Sequence, residues 1–321
     1  MSESNVTLTP LSFPSADGHS TVSACVWSAS PIAELGKPKG AVQIVHGMCE
    51  HKERYDAFAR ALVAQGYVVC AHDQIGHGQT TPQEDWGYIP SQGGEDMLVE
   101  DVNSLRQLMQ EQIPAGTPYF VFGHSMGSFV TRVYISRYGG GLAGAIICGT
   151  GFVPVNTSKA GHTMAQLIAR VRGEKHKSKL LHSMADGAYA KAVENPLTDF
   201  DWLSYNQENV DRYIADPACG FPFTAGGYST LTALTAECCT LECAQRVPAS
   251  LPLFFIAGEE DPVGSNGQGV REAADLARKA GSTDVSAKLY PHMRHEILNE
   301  TDHKKVFADV IDWLDQKGQT K

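Results

Sequence analysis

Apolar residues in this chain follow two alternating rhythms. Short apolar runs occupy 41–45, 67–71, 119–122, 142–148 and 253–257, with a further strand of mixed polarity at 285–290. Between them lie segments of helical spacing: Tyr55, Phe58, Ala59 and Leu62 within 53–65, then 97–109, the segment directly after Ser125, 269–279 and 303–316. Continuous apolar strands alternating with amphipathic helices predict a mostly parallel sheet covered by helices on both faces. Two more strands, 7–13 and 20–27, open the chain across the turn dipeptide Asp17-Gly18. The alternation lapses near Gly151 and resumes only at 253. In between there are helical patches and polar loops, including Met164, Leu167, Ile168 and Val171 at i, i+3, i+4 and i+7. The pattern therefore predicts one α/β core with its first half at 1–151 and its second at 248–321, split by a helical cap insertion at 152–247.

Composition narrows the class. At 321 residues the chain suits one large domain or two modest ones, and the cap insertion accounts for the length within one. Its net charge of −10, without long acidic runs, argues against nucleic acid as a partner. The first residues carry neither a basic nor an apolar leader segment, and the stretch 142–155 is too short and too glycine-rich to span a bilayer. Eight cysteines without a CxxC pair read as reduced, packed thiols, so the expected location is cytoplasmic. The histidines form no pair at zinc spacing beside a third ligand, so no metal is expected.

The chemistry concentrates where strands end. The run 119–122 leads through Gly123-His124-Ser125-Met126-Gly127 into a helix. A GxSxG turn between strand and helix lifts a serine hydroxyl to the C-terminal edge of a sheet, and glycines flank it because the turn is crowded. A serine hydroxyl is a weak nucleophile at neutral pH. It needs a base, and the base needs an orienting acid. With this elbow the chain order is serine, acid, histidine. The run 253–257 ends in Gly258-Glu259-Glu260-Asp261-Pro262; Asp261 is favoured, because Pro262 stiffens the turn behind it and Gly258 bends the chain before it. Glu259 and Glu260 then read as solvated loop charges. The last strand ends in Pro291-His292-Met293-Arg294-His295-Glu296, and His295 is preferred as base over His292, which sits too close to Pro291 and the strand end. Two N–H donors must receive the tetrahedral oxygen. Met126 follows the nucleophile, and the loop His46-Gly47-Met48-Cys49-Glu50-His51 offers the N–H of Met48. Cys49 is either an oxidisable thiol beside that donor or a small packed side chain.

Three segments, His46-Gly-Met-Cys-Glu-His51 with Arg54-Tyr55, Ala71-His-Asp-Gln-Ile-Gly-His-Gly78 and Gly123-His-Ser-Met-Gly127, together resemble the monoacylglycerol lipase and lysophospholipase branch of the α/β-hydrolases. The segments 261–264 and 294–296 are similar to bacterial members of that branch. The resemblance covers roughly 20–150 and 250–318 and fades through the insertion. It implies the α/β-hydrolase fold and hydrolysis of carboxylic esters by a serine hydrolase without a cofactor, most of all monoacylglycerol or lysophospholipid-like esters. It also implies structural roles for Asp73, Gly76 and Gly78 beside the site. Ser128 stands where relatives often carry a second glycine.

By the same resemblance the insertion is a cap over an acyl pocket, and Met164, Leu167 and Ile168 are its candidate substrate-lining residues. Arg170, Arg172, Lys175, Lys177 and Lys179 make a basic cluster beside them, which reads either as the solvated basic end of a cap helix packed on the core or as a face for transient membrane contact through the cap; the resemblance implies a small acyl ester or lipid as the partner. Trp202 and Phe221-Pro222-Phe223 read as packing. Gly264, Gly267 and Gly269 read as a turn opening a helix. Two other enzyme readings use the same machinery. One is a short-chain carboxylesterase. The other is an aminopeptidase, in which a cap acid from among Glu194, Asp199, Asp201, Glu208, Asp211 and Asp216 binds a free α-ammonium. A non-enzymatic binding protein on this fold is disfavoured, because a complete triad can be named.

Overall fold

The computed structural model describes residues 6–319, so the leaderless reading of 1–5 lies outside the described residues. The strands are β1 (Thr7–Pro14), β2 (Thr21–Ser28), β3 (Gly40–Val45), β4 (Tyr67–His72), β5 (Tyr119–His124), β6 (Gly144–Cys148), β7 (Leu253–Gly258) and β8 (Val285–Tyr290). They form one eight-stranded sheet in the order β1-β2-β4-β3-β5-β6-β7-β8. The β1–β2 and β2–β4 pairings are antiparallel and the remaining pairings parallel. This is the mostly parallel sheet of an α/β-hydrolase.

The helices are α1 (Asp56–Ala64), α2 (Gly94–Gln112), α3 (Met126–Tyr138), α4 (Val155–Arg172), α5 (Lys179–Met184), α6 (Asp186–Ala190), α7 (Gln207–Ala215), α8 (Ala225–Cys238), α9 (Leu241–Arg246), α10 (Gln268–Lys279) and α11 (His303–Gly318). The central strands are continuous apolar runs because both of their faces are covered. Val42, Ile44, Phe120, Phe122, Ile146 and Ile256 pack with α1 and α11. Their neighbours Ala41, Val45, Val121, Ala145, Ile147 and Phe255 pack with α2, α3 and α10 on the other face. Strand period two thus builds two cores from one sheet.

Between β6 and β7 the described residues form helices and loops. Helix α4 lies along α8, but its inward face is not the large-residue stripe expected from spacing. Ser158, Ala165 and Ala169 are buried, Met164 and Ile168 are half-buried, and Leu167 and Val171 are 61% and 71% exposed. The reason is close approach. A Cβ added at Gly161 would come within 3.2 Å of Thr232 on α8, so small side chains occupy the contact and rotate the larger ones outward. All eight cysteines are buried. Among the described residues, no helix is long and apolar enough to cross a membrane.

Candidate active site

Three strand ends converge at the C-terminal edge of the sheet. At the end of β5, Ser125 takes φ 54° and ψ −122° before α3 begins, a strained left-handed turn that lifts its side chain out of the strand. Gly127 explains why the turn can form there: a Cβ at this position would lie 2.1 Å from the Val45 carbonyl oxygen and 2.5 Å from that of His46. The elbow is clamped against β3, and the Ser125 N–H donates to the Cys148 carbonyl of β6 at 3.0 Å.

The loops after β7 and β8 bring Asp261 and His295 together. Both carboxylate oxygens of Asp261 lie 3.0 Å from Nδ1 of His295. Asp261 is fully buried and His295 nearly so, which makes this a dry, directed contact. His292 is exposed, with φ 55°, and faces Glu260 rather than Asp261. Glu259 and Glu260 are exposed loop residues, as expected, although Glu260 also receives the Tyr205 hydroxyl.

Met48 and Met126 line the same cavity as Ser125 and His295. Met126 opens α3, where the first N–H groups of a helix lack intrahelical partners. The loop carrying Met48 is held by Glu50, whose Oε1 accepts the Gly47 N–H at 2.5 Å and the Tyr55 hydroxyl at 2.8 Å. Cys49 adopts φ 56° and its thiol donates to the Phe221 carbonyl at 2.8 Å, so it is packed and hydrogen-bonded to the cap.

Sequence reasoning missed a buried charge network behind this site. Arg54 donates to Glu50 at 2.9 Å and, with both terminal nitrogens, to Glu296 at 2.5 and 2.8 Å. Asn209 of α7 donates to Glu296 at 2.6 Å, tying in the cap. His124 donates from Nε2 to the His295 carbonyl at 3.2 Å and faces Glu50 from Nδ1 at 3.3 Å. Burial pushes the Glu50 carboxyl up, but the His124 hydrogen bond and the Arg54 charge outweigh it and hold it well below the usual range. Burial pushes His124 down, and Glu50 more than reverses that. The HGxxEH and GHSMG segments carry these residues, but nothing along the chain pairs Arg54 with Glu296.

The HDxxGHG segment has the structural role its resemblance implies. Asp73 accepts the Lys52 N–H at 2.9 Å, the Lys52 ammonium at 2.7 Å and the Gln79 N–H at 2.8 Å. Gly78, at φ 48°, crosses so near Asp73 that a Cβ there would collide with its carboxylate.

The cavity has a volume of about 560 Å³ and is lined largely by apolar groups, among them Phe129, Phe200, Trp202, Leu203, Phe221, Pro222, Leu231 and Val263. Met164, Leu167 and Ile168, the substrate-lining candidates, are not part of this lining; between β6 and β7 the cavity wall is drawn instead from α6, the loops around 199–203 and 220–222, and α8. Trp202 and Phe221, expected only to pack, face the cavity, and the Trp202 ring lies 5.2 Å from that of His295. Phe223 does pack in the core.

The family described as serine aminopeptidase, S33, matches residues 36–302. The chain belongs to this family. This S33 member is 30% identical to the monoacylglycerol lipase of Mycolicibacterium smegmatis over 286 residues, 86% of this chain and 88% of that one. It is 27% identical to the human monoglyceride lipase over 296 residues, 89% of this chain and 85% of that one. Among solved structures, a thermostable carboxyl esterase from Bacillus coagulans is similar with a TM-score of 0.87 and 31% identity, covering 97% of this chain and 99% of the other. A lipase in an open form is similar with a TM-score of 0.84 and 26% identity, covering 98% and 100%. The S33 chain is therefore an α/β-hydrolase of the monoglyceride lipase branch and a carboxylic ester hydrolase.

Proposed function

We propose that this ester hydrolase cleaves monoacylglycerol or lysophospholipid-like acyl esters through an acyl-enzyme on Ser125. The observation that carries the reading is the buried Asp261–His295 contact at 3.0 Å behind a largely apolar cavity that His295 lines together with Ser125 on its strained elbow. The Ser125 hydroxyl attacks the ester carbonyl while Nε2 of His295 takes its proton. Asp261 holds Nδ1–H and stabilises the cation that forms. The N–H groups of Met48 and Met126 receive the oxyanion, commonly the largest electrostatic contribution in acyl transfer. Collapse expels the alcohol, protonated by His295. Water then attacks the acyl-serine with the same base, releasing the acid and restoring the hydroxyl.

The apolar lining supports an acyl chain, and the volume falls within the usual range for a small-molecule site. Exposed Leu167, Val171, Leu180 and Met184 beside exposed Arg170, Arg172, Lys177 and Lys179 support brief contact with a lipid surface. The buried cysteines support a reducing, cytoplasmic setting. A fluorophosphonate probe should label the wild-type enzyme and not Ser125→Ala. On a panel of p-nitrophenyl esters, a monoacylglycerol and a lysophospholipid, hydrolysis should favour medium or long acyl chains. A folded enzyme that takes no label would overturn the mechanism. A preference for acetate and butyrate would replace the lipid reading with a short-chain esterase.

The family description favours a second reading, an aminopeptidase. Of the six cap acids that such a reading draws on, Asp199 alone lines the cavity among the described residues. Asp201 instead accepts the Leu197 N–H at 2.6 Å, and Asp216 meets His51 at 2.8 Å. Faster turnover of an amino-acid anilide than of a p-nitrophenyl ester would select the peptidase.

A further inference from the structure

Two donor groups on one short turn, Asp216 and Cys219, meet a third, His51, 165 residues before Asp216, where the cap touches the loop beyond Met48. Nε2 of His51 lies 2.8 Å from Oδ2 of Asp216, and the Cys219 thiol is within hydrogen-bond reach of the same ring. One donor atom from each of the three residues lies within 4.8 Å of the others. Cys219 is buried and His51 nearly so, while Asp216 keeps a path to solvent.

The other nitrogen of His51 supplies an independent observation. Nδ1 lies 2.6 Å from Oε2 of Glu53, and the second oxygen of Glu53 is held by the Lys52 ammonium at 2.9 Å. A histidine that binds a metal almost always gives its remaining ring N–H to a carboxylate, a backbone carbonyl or a water, which orients the ring and points its other nitrogen to the ion. Glu53 occupies that position, and Nε2 faces Asp216 and Cys219. We propose that His51, Asp216 and Cys219 form a binding site for a divalent cation of the zinc class, with Glu53 as the orienting carboxylate and solvent as the fourth ligand.

The chemistry of the donors selects the ion. Thiolate, imidazole and carboxylate together suit zinc or cadmium, and not magnesium or calcium, which take oxygen ligands. The thiolate and Asp216 supply two negative charges against two positive ones. Zinc bonds of about 2.0–2.3 Å in a tetrahedron set the donors roughly 3.3–3.7 Å apart, so metal entry parts Nε2 of His51 from Oδ2 of Asp216, now 2.8 Å apart, and gathers the three donor atoms, now within 4.8 Å of one another, around the ion. Metal entry displaces one proton from the thiol and one from Nε2 of His51, leaving Glu53 on Nδ1.

The position gives the site a consequence. The turn from Asp216 to Cys219 is closed by the Cys219 N–H donating to the Asp216 carbonyl at 3.0 Å. The next residue, Gly220, donates its N–H to the carbonyl of Cys49 at 3.0 Å, directly after Met48. An ion at this place braces the cap against the oxyanion loop. That effect on catalysis rests on the proposed role of Met48, whereas the binding site does not.

Chelator-treated full-length enzyme should be titrated with zinc by calorimetry and with cobalt by absorbance. One zinc per chain is expected, with a near-ultraviolet thiolate-to-cobalt band. Both should vanish in Cys219→Ser, and affinity should fall about 10- to 100-fold in Glu53→Gln. Circular dichroism verifies each fold; if Cys219→Ser does not fold, Cys219→Ala and Asp216→Asn carry the same comparison. Absence of stoichiometric zinc in the wild type would overturn the proposal. So would an isotherm and cobalt spectrum that the Cys219 and Asp216 variants leave unchanged, since the ion would then sit elsewhere.

Discussion

The most exacting test of the site's architecture is Glu50→Gln. Glu50 is buried, and one of its oxygens receives Gly47 and Tyr55 while the other receives Arg54 at 2.9 Å. The amide keeps the shape and one acceptor, so the Gly47 and Tyr55 bonds survive as neutral ones worth about 1 kcal/mol each. What is lost is charge. Arg54 then faces an amide that offers it hydrogens, and His124 loses its carboxylate. Arg54 is not orphaned, because Glu296 still takes both of its terminal nitrogens at 2.5 and 2.8 Å. The cost should therefore stay below the ~3–5 kcal/mol of a buried charge left without a partner, and two weakened charge-assisted bonds put it at about 2–4 kcal/mol. The kinetic effect follows from Gly47, the residue before Met48. Deleting an oxyanion donor costs about 10²–10³ in kcat. A donor retained but loosened should cost less, about 10- to 100-fold. Urea unfolding gives the stability, and p-nitrophenyl butyrate gives kcat and KM separately. A folded variant with wild-type kcat, or one altered in KM alone, refutes the argument that Glu50 holds the loop proposed to donate to the oxyanion.

Asp261→Asn keeps the volume beside His295 but removes the charge that fixes its tautomer, so kcat should fall about 10³- to 10⁴-fold with KM little changed in steady-state assays. Gly127→Ala sets a methyl group 2.1 Å from the Val45 carbonyl oxygen, a backbone atom that cannot swing aside; a circular-dichroism melt should lose several degrees at least, and activity should fall with it. Burial pushes the Asp101 carboxyl up to about 6, although Ser15 and Ala16 donate to it. The unfolded chain loses this proton near pH 4, so the folded state binds more protons between about pH 4 and 6. Stability from this group is present below that window and falls by roughly 3 kcal/mol across it. The melting-temperature difference between Asp101→Asn and wild type should accordingly shift in the variant's favour from pH 4 to pH 7. Leu167→Ser with Val171→Ser alters side chains 61% and 71% exposed. It should leave stability within about 0.5 kcal/mol, yet slow hydrolysis of vesicle-borne monoacylglycerol relative to a water-soluble ester.

The sheet and the elbow were legible because each is written in adjacent residues. A buried parallel strand is a continuous apolar run, and a strand-to-helix turn exposing a serine needs glycines on both sides of it. The cap was not legible for the opposite reason. Its cavity wall comes from Phe200, Trp202, Phe221 and Pro222, which stand on loops and short turns without a period. On α4 a period exists but misleads, since Ala165 and Ala169 make the contact and the large side chains turn away. The network through Arg54 and Glu296, 242 residues apart, and the meeting of His51 with Asp216, 165 apart, leave no local trace. Zinc spacing along the chain could therefore not disclose the latter.

That Asp261, of three adjacent acids, is the one that meets His295 has a physical reason that one glycine carries. A Cβ on Gly258 would lie 2.1 Å from the Met293 carbonyl oxygen and 2.2 Å from that of Arg294. The loops that carry Asp261 and His295 are thus in backbone contact at the end of β7. The Glu260 N–H donates to Met293 at 3.1 Å, and the Glu259 N–H to Tyr290 at 2.9 Å. Those two residues spend their main chains on joining the loops, and both stay exposed, the Glu260 carboxylate receiving the Tyr205 hydroxyl. The next residue, Asp261, is the first whose side chain turns inward, and the Val263 N–H fixes one of its oxygens at 2.9 Å. Gly258 therefore does more than bend the chain. It sets the separation at which a carboxylate three residues on meets an imidazole two residues beyond the other side of the contact.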